Sequence, residues 1–383
     1  MIRSSAGLSI GLSALFLLQT AGCSKRAVEN PFQYSFIKPL HLKQVPDKPY
    51  SGYKAFYVLT EDFEPLAESA PDLEAIRDVL KFASDLSAQY HVPWTHFVDV
   101  NALYPAFLAD DPQLKLQGLG MMADLTRMSV AQDDIELHLH GPLNRQLLDY
   151  VRAEEKLRIR TSEVDESQPY RQRRSFFFQS YYHEGYRELV TSLSYAKKLL
   201  ERHLLDDKKQ ILAFRPGGWD HGDTQQDTLL YFHALSDSGL VANSGLATGR
   251  FGSADFRVGS DPGHNFAAVT IGDHRITEIS PTAGPGGYVN PVLPNDLAKL
   301  ANAVSDEMPI IVSVYHLSAL QKTKAENAKP PRSDADLQLE RDTLNRHFKT
   351  VADLAAARVL YPITIRDLLT IISEQQPEQA SSK

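Results

Sequence analysis

His138-Leu139-His140 is the sharpest chemical signal in the chain. On a strand, residues two apart point to the same side, so both imidazoles can reach one metal ion, each through a ring nitrogen. The run Leu59-Thr60-Glu61-Asp62-Phe63-Glu64 sets Glu61, Asp62 and Glu64 directly after a hydrophobic stretch. One carboxylate completes a two-histidine site for a divalent cation, and a second can deprotonate water there. Phe214-Arg215-Pro216-Gly217-Gly218-Trp219 puts Arg215 at a strand end before a glycine-bearing turn. A guanidinium in that position can hold a carboxylate base in place and keep it ionised. Val314-Tyr315-His316-Leu317 supplies His316, able to protonate a leaving group or orient a ligand.

Composition narrows the chemistry. The 383 residues contain one cysteine, which excludes an internal disulfide and a zinc–thiolate cluster, so a metal site must be built from His, Asp and Glu. A net charge of −8 argues against a nucleic-acid partner, because phosphate binding needs a basic surface. With 43% hydrophobic and 23% charged residues the composition is globular, and no run after residue 23 is apolar enough to span a bilayer.

The elements that must position these residues alternate between short β-rich runs and amphipathic helical patterns. Strands are expected over 55–60, 91–100, 134–140, 211–214, 309–316 and 359–363, and helices over 72–90, 186–205, 224–239 and 339–357. A last helix opens at Thr364 with Asp367 three residues on, a weak capping box. Such alternation implies a parallel sheet, open or closed into a barrel, with chemistry just past the carboxyl ends of the strands. Residues 150–186 and 318–336 read as insertions, 376–383 as a polar tail, and no internal repeat is visible.

The single cysteine, Cys23, follows Thr20-Ala21-Gly22, and Arg3 precedes an apolar stretch over residues 6–18. The stretch has signal-peptide length and is too short for a permanent span. Small residues before a cysteine resemble a bacterial lipobox, although Thr20 stands where leucine is usual. That resemblance implies a signal peptide over 1–22, lipidation of Cys23 and residence in the cell envelope as a lipid-anchored protein. Ser24, in place of an aspartate, resembles the outer-membrane default. Residues 23–50 carry Pro31, Pro39, Pro46 and Pro49 and read as a tether leading to a domain over 51–375.

Taken in order, the segments from about Tyr53 to the C-terminus resemble the polysaccharide deacetylase (NodB-homology) family. HVPWTHFV is similar to its second strand, and 186–219 to its lead-in to the arginine motif. Val241-Ala242-Asn243-Ser244, Glu278-Ile279-Ser280-Pro281, Gly284-Pro285-Gly286-Gly287-Tyr288 and residues 348–369 resemble later segments. The resemblance implies a distorted (β/α) barrel. The family's first motif, Thr-Phe-Asp-Asp-Gly, aligns Asp62 with the base aspartate but puts Phe63 at the metal-ligand position. Of the second motif, His138 matches the first histidine, Pro142 falls on the second, and His140 would have to replace it. Arg215 matches the third motif, no Asp–Trp fourth motif is recognisable, and Tyr315-His316 stands for the late Leu-x-His.

Two arrangements fit. In one, Asp62, His138 and His140 bind the metal, zinc before other divalent cations, while Glu61 or Glu64 is the base. In the other, Asp62 is the base and the metal is held weakly or not at all. The first has the three protein ligands usual in a catalytic site. Trp219 and Tyr315 are expected against the substrate.

The leading function is a metal-dependent hydrolase removing N- or O-linked acetyl groups from a cell-envelope or extracellular polysaccharide. The alternative is a non-catalytic glycan-binding or polysaccharide-export lipoprotein on a degenerate deacetylase barrel. The basic, aromatic run YRQRRSFFFQSYYHEGY over 170–186 suits that alternative. A glycoside hydrolase using Glu61 and Glu64 would leave the histidines and Arg215 without a task. His221 and His264 receive no role.

Overall fold

The computed structural model describes residues 36–65, 69–140, 186–206, 209–219, 221–222, 225–245, 265–282, 297, 307–320 and 333–376. Cys23, residues 150–185, residues 284–288, His264 and the tail after 376 lie outside them, and with them the signal-peptide, lipidation and aromatic-run readings.

The chain opens with β1 (Phe36–Pro39) and β2 (Ala55–Phe63), whose nine residues are all buried. Helix α1 (Ala70–Tyr90) follows. The Ser69 side chain accepts the Asp72 backbone N–H at its start, and His91 ends it in the left-handed region at φ 54°. Its stripe of Leu73, Ile76, Leu80 and Ala83 is buried, as helical periodicity requires. Then come β3 (Trp94–Asp99), α2 (Tyr104–Leu108), α3 (Pro112–Ala131) and β4 (Asp134–Leu139). The middle of the chain adds α4 (Tyr186–Leu204), β5 (Ala213–Pro216), α5 (Gln225–Asp237) and β6 (Ala242–Asn243). A hairpin follows, β7 (Phe266–Ile271) and β8 (His274–Ile279). The last elements are β9 (Ile310–Tyr315), α6 (Asp334–Ala356), β10 (Leu360–Pro362) and α7 (Ile365–Gln375).

The sheet runs β1-β7-β8-β6-β5-β4-β3-β2, with β9 on the free edge of β2 and β10 paired to the start of β2. Strands β2 to β6 and β8 to β10 are parallel to their neighbours, except in the β7–β8 hairpin, and β1 joins β7 antiparallel. The two ends of the array meet. The N–H of Met308, just before β9, donates to Leu42 O, just after β1, at 2.8 Å, and that of Thr282 to Val312 O at 2.9 Å. The result is a distorted (β/α) barrel, its seam closed by single contacts instead of a full ladder.

Alternation along each strand sorts the core into two layers. Phe56, Val58, Phe97, Ala213, Ala242, Ile310 and Val312 fill the barrel, joined from below by Ile365 and Leu368 of α7. Tyr57, Leu59, Trp94, Leu137 and Phe214 face outward under the helices. Arg366 of α7 bonds Asp134 at the amino end of β4 at 2.8 Å, which fixes the plug at the end opposite the carboxyl ends of the strands.

Two boundaries differ from the sequence reading. Residues 36–50, read as part of a tether, belong to the domain: Leu40, Leu42 and Tyr50 are buried and β1 covers the β7 edge. Strand β2 runs to Phe63 instead of ending at Thr60, so Glu61 and Asp62 lie in the strand and point to opposite sides. The pairing partners β3 and β9 on both edges extend it, which local composition does not record.

Candidate metal centre and buried ion pair

His138 occupies the penultimate position of β4 and His140 follows its last residue, so both project from one side at the carboxyl end. Their rings meet edge to face, centroids 4.9 Å apart. The chain approaches closely here because residue 217 is glycine: a Cβ on Gly217 would come within 2.5 Å of the His140 ring. His138 Nδ1 lies 2.8 Å from Arg215 O. A carbonyl only accepts, so Nδ1 carries the proton and Nε2 is left as a bare lone pair. That Nε2 is buried and has no hydrogen-bond partner. Burial holds His138 down to about 4, hence neutral at physiological pH.

Glu64, one residue past β2, completes the group. Its Oε2 is 2.6 Å from His140 Nε2 and 3.7 Å from His138 Nε2. One ligand atom from each of Glu64, His138 and His140 lies within 4.8 Å of the others. Two imidazoles and a carboxylate, with an orphaned buried lone pair among them, suit zinc or a similar divalent cation. The pattern also has the orienting carbonyl that metal-bound histidines use.

Asp62 takes a different position from the one expected of a ligand. It faces the barrel interior, where Arg215 Nη1 donates to its Oδ1 at 2.6 Å. Arg215 is fully buried and clamped on every side. Its Nε donates to Ser244 O, and its Nη2 to Thr60 Oγ1 and Ser244 Oγ. The guanidinium lies 4.1 Å from the Phe97 ring centroid and 5.3 Å from that of Trp219. Burial alone would raise the Asp62 carboxyl, but Arg215, with His138 and His316, holds it down at about 2. His316 Nε2 stands 3.6 Å from Asp62 Oδ2 and 3.8 Å from Glu64 Oε1, and burial lowers its proton affinity. Trp219 closes the same corner with a left-handed φ of 59°, a conformation costly for a bulky side chain.

Two expected site residues lie elsewhere. Glu61 points to the outer layer, where its Oε2 meets His96 Nδ1 at 2.5 Å in full burial. Tyr315 is the register partner of Glu61 and faces the same layer, its ring 6.2 Å from Trp94. Both follow from strand alternation: an odd step along β2 or β9 moves a side chain from the barrel interior to the helix side. Ser244, Thr60 and Gly217, which fix Arg215 and His140, were not singled out in the sequence. Only the glycine pair after Arg215 hinted at a close approach.

No known family profile matches the sequence, and no curated protein matches it. Solved structures do. A candidate polysaccharide deacetylase from Mycobacterium smegmatis aligns with TM-score 0.45 and 12% identity, over 89% of this chain and 96% of that one. A 4-alpha-glucanotransferase from Thermococcus litoralis gives 0.39 and 10%, over 82% of this chain and 38% of that one. A family 4 acetyl xylan esterase from Clostridium thermocellum, solved with a cobalt ion, gives 0.30 and 11%, over 81% and 99%.

Proposed function

We propose that this chain is a metal-dependent hydrolase that removes N- or O-linked acetyl groups from a polysaccharide of the cell envelope or the extracellular space. The observation that carries the reading is the bare, buried Nε2 of His138, oriented by Arg215 O and converging with His140 and Glu64. The similar solved structures differ in the reactions named for them, so the reading rests on side-chain geometry and not on fold.

Glu64, His138 and His140 would hold the cation, which when bound would supply Lewis acidity toward water and an acyl oxygen. The rest falls to the chain. Asp62, kept ionised by Arg215, offers its second oxygen toward the group as the proton acceptor. The tethering fixes that carboxylate within a buried cage, so no reorganisation is needed as the proton arrives. His316, a quarter exposed beside Asp62, is placed to return a proton to the departing amine or alkoxide. Trp219 walls the same corner and is the side chain offered to a sugar face. The cysteine at position 23 and the apolar run before it support a lipid-anchored protein, with the outer membrane favoured. No helix among the described residues is long and apolar enough to cross a membrane.

The test is acetate release from N- and O-acetylated glycans by the zinc-loaded protein and by its His138→Ala form. Release that disappears in the variant supports the hydrolase. Glycan affinity retained by both, with no acetate from either, would replace it with the non-catalytic binding reading.

A further inference from the structure

At the opposite end of the sheet, three further metal-ligating side chains converge. His233 and Asp237 stand one turn apart on α5, and His274 opens β8 at its amino end. One ligand atom from each lies within 4.8 Å of the others. His233 Nδ1 is 3.3 Å from Asp237 Oδ2, and His274 Nε2 is 3.8 Å from Asp237 Oδ1. The two imidazole rings lie at 58° to each other with centroids 4.6 Å apart.

From these we infer a second, structural cation site, made by His233, Asp237 and His274 and independent of the candidate catalytic centre. Three features of the group point the same way. The spacing of four on a helix puts His233 and Asp237 on one face, a chelating pair on a rigid element. His274 is turned toward them because its Nδ1 is engaged by the Ser236 hydroxyl at 2.7 Å, which leaves Nε2 for the group. The Tyr186 hydroxyl, from the first residue of α4, donates to Asp237 Oδ2 at 2.7 Å and also touches His233 Nδ1. Oriented ligands with outer hydrogen bonds are the arrangement that raises metal affinity.

Two imidazoles with one carboxylate select zinc, copper or nickel over magnesium or calcium, which prefer all-oxygen sets. The side chains are 22%, 32% and 37% exposed, so a cation from solution can enter and keep water in its remaining positions. Its effect would be a clasp. The ligands come from α5 and from the β7–β8 hairpin, and Tyr186 ties in α4, so binding would lock three elements together. A cation bound only to the folded form stabilises it in proportion to ligand excess over the dissociation constant.

The full chain, stripped of metal and dialysed against zinc chloride alone, provides the test. Bound zinc is counted by mass spectrometry in the parent, in a His233→Ala/His274→Ala variant and in a His138→Ala/His140→Ala variant. The site requires a zinc equivalent that the first pair removes and the second pair leaves, a rise in Tm with zinc that goes with it, and unchanged acetate release. Tyr186→Phe, which keeps both imidazoles, should weaken that equivalent by roughly tenfold or more. Zinc content and the Tm rise unaffected by His233→Ala/His274→Ala would overturn the inference. An equivalent removed by His233→Ala/His274→Ala in a protein that binds none at His138 and His140 would sustain this site and remove the catalytic one.

Discussion

Side-chain placement along and just past β2 divides the carboxylates of TEDFE into separate tasks, and substitution should separate them too. Glu64→Gln removes a cation ligand and should abolish the zinc equivalent held with His138 and His140, together with activity. Asp62→Asn should keep the zinc and lower acetate release by about 10²- to 10⁴-fold, the range for a lost proton acceptor. Glu61→Gln, in the outer layer against His96, should leave turnover within a few fold and lower the denaturation midpoint instead. Measuring zinc, turnover and stability on all three decides the assignment, and a Glu61→Gln variant as inactive as Glu64→Gln would overturn it. The Arg215–Asp62 pair makes a second prediction. Removing Arg215 leaves a buried carboxylate uncompensated, so Arg215→Met should cost about 3–5 kcal/mol, and adding Asp62→Asn should recover most of that without restoring activity. The Asp62 carboxyl, at about 2 when folded against 3.8 ordinarily, gives up its proton more readily in the folded protein. The pair therefore stabilises above about pH 4, and that contribution, about 2 kcal/mol, is lost as pH falls toward 2.

Among the elements, helix α6 owes part of its docking to a buried histidine. It starts with a reciprocal cap, Ser333 accepting from Asp336 N and Asp336 from Ser333 N, and docks on β2 through His347. The Tyr57 hydroxyl and His347 Nε2 are hydrogen-bonded at 2.6 Å, both groups buried. Burial lowers His347 from 6.5 to about 4, so on acidification the unfolded chain takes up the proton first. The stability it confers is complete above pH 6.5 and is lost as pH falls through 4, roughly 3 kcal/mol for this residue. His347→Gln keeps an acceptor for Tyr57 without titrating, and urea midpoints measured from pH 7 to pH 4 should fall less steeply in it than in the parent. An identical slope would show that α6 docking is indifferent to this histidine. These elements were legible to different degrees. The helices with one apolar stripe, α1 and α4, and the buried strands at 55, 134 and 309 stand out from period alone. Helix α3 did not, because its inward face carries Gly118, Met121 and Asp124 among leucines that are exposed, such as Leu116 and Leu119. The β7–β8 hairpin was hidden as well, since its buried faces on both sides erase the alternation that marks a strand. His-x-His and Arg215 could be read directly. The split between Glu61 and Asp62 could not, because it depends on how far neighbours extend β2.

For the whole molecule, the barrel has a seam, and the segment that closes it comes from the part of the sequence least like a folded domain. Residues 38–50 contain three prolines and many polar side chains, which reads as a spacer. Yet β1 pairs with β7 over four residues, Met308 donates to Leu42 O across the seam, and Leu40, Leu42 and Tyr50 enter the inner core. Without them the outer edge of β7 is bare, and an unpaired edge beside apolar surface invites pairing with another chain. The candidate site lies at the far end of the same barrel, where Asp62 of β2, His138 of β4 and Arg215 of β5 must hold register across strands. Loosening the seam should therefore reach the site without touching any of its residues. A chain starting at Ser51, compared with one starting at Ser24, should show a lower midpoint, concentration-dependent association and weaker zinc retention at His138 and His140. Size-exclusion chromatography and metal content at matched concentration would check this. Equal stability and zinc in the shorter chain would mean that residues 38–50 decorate a barrel that closes without them, and the domain would then begin at β2.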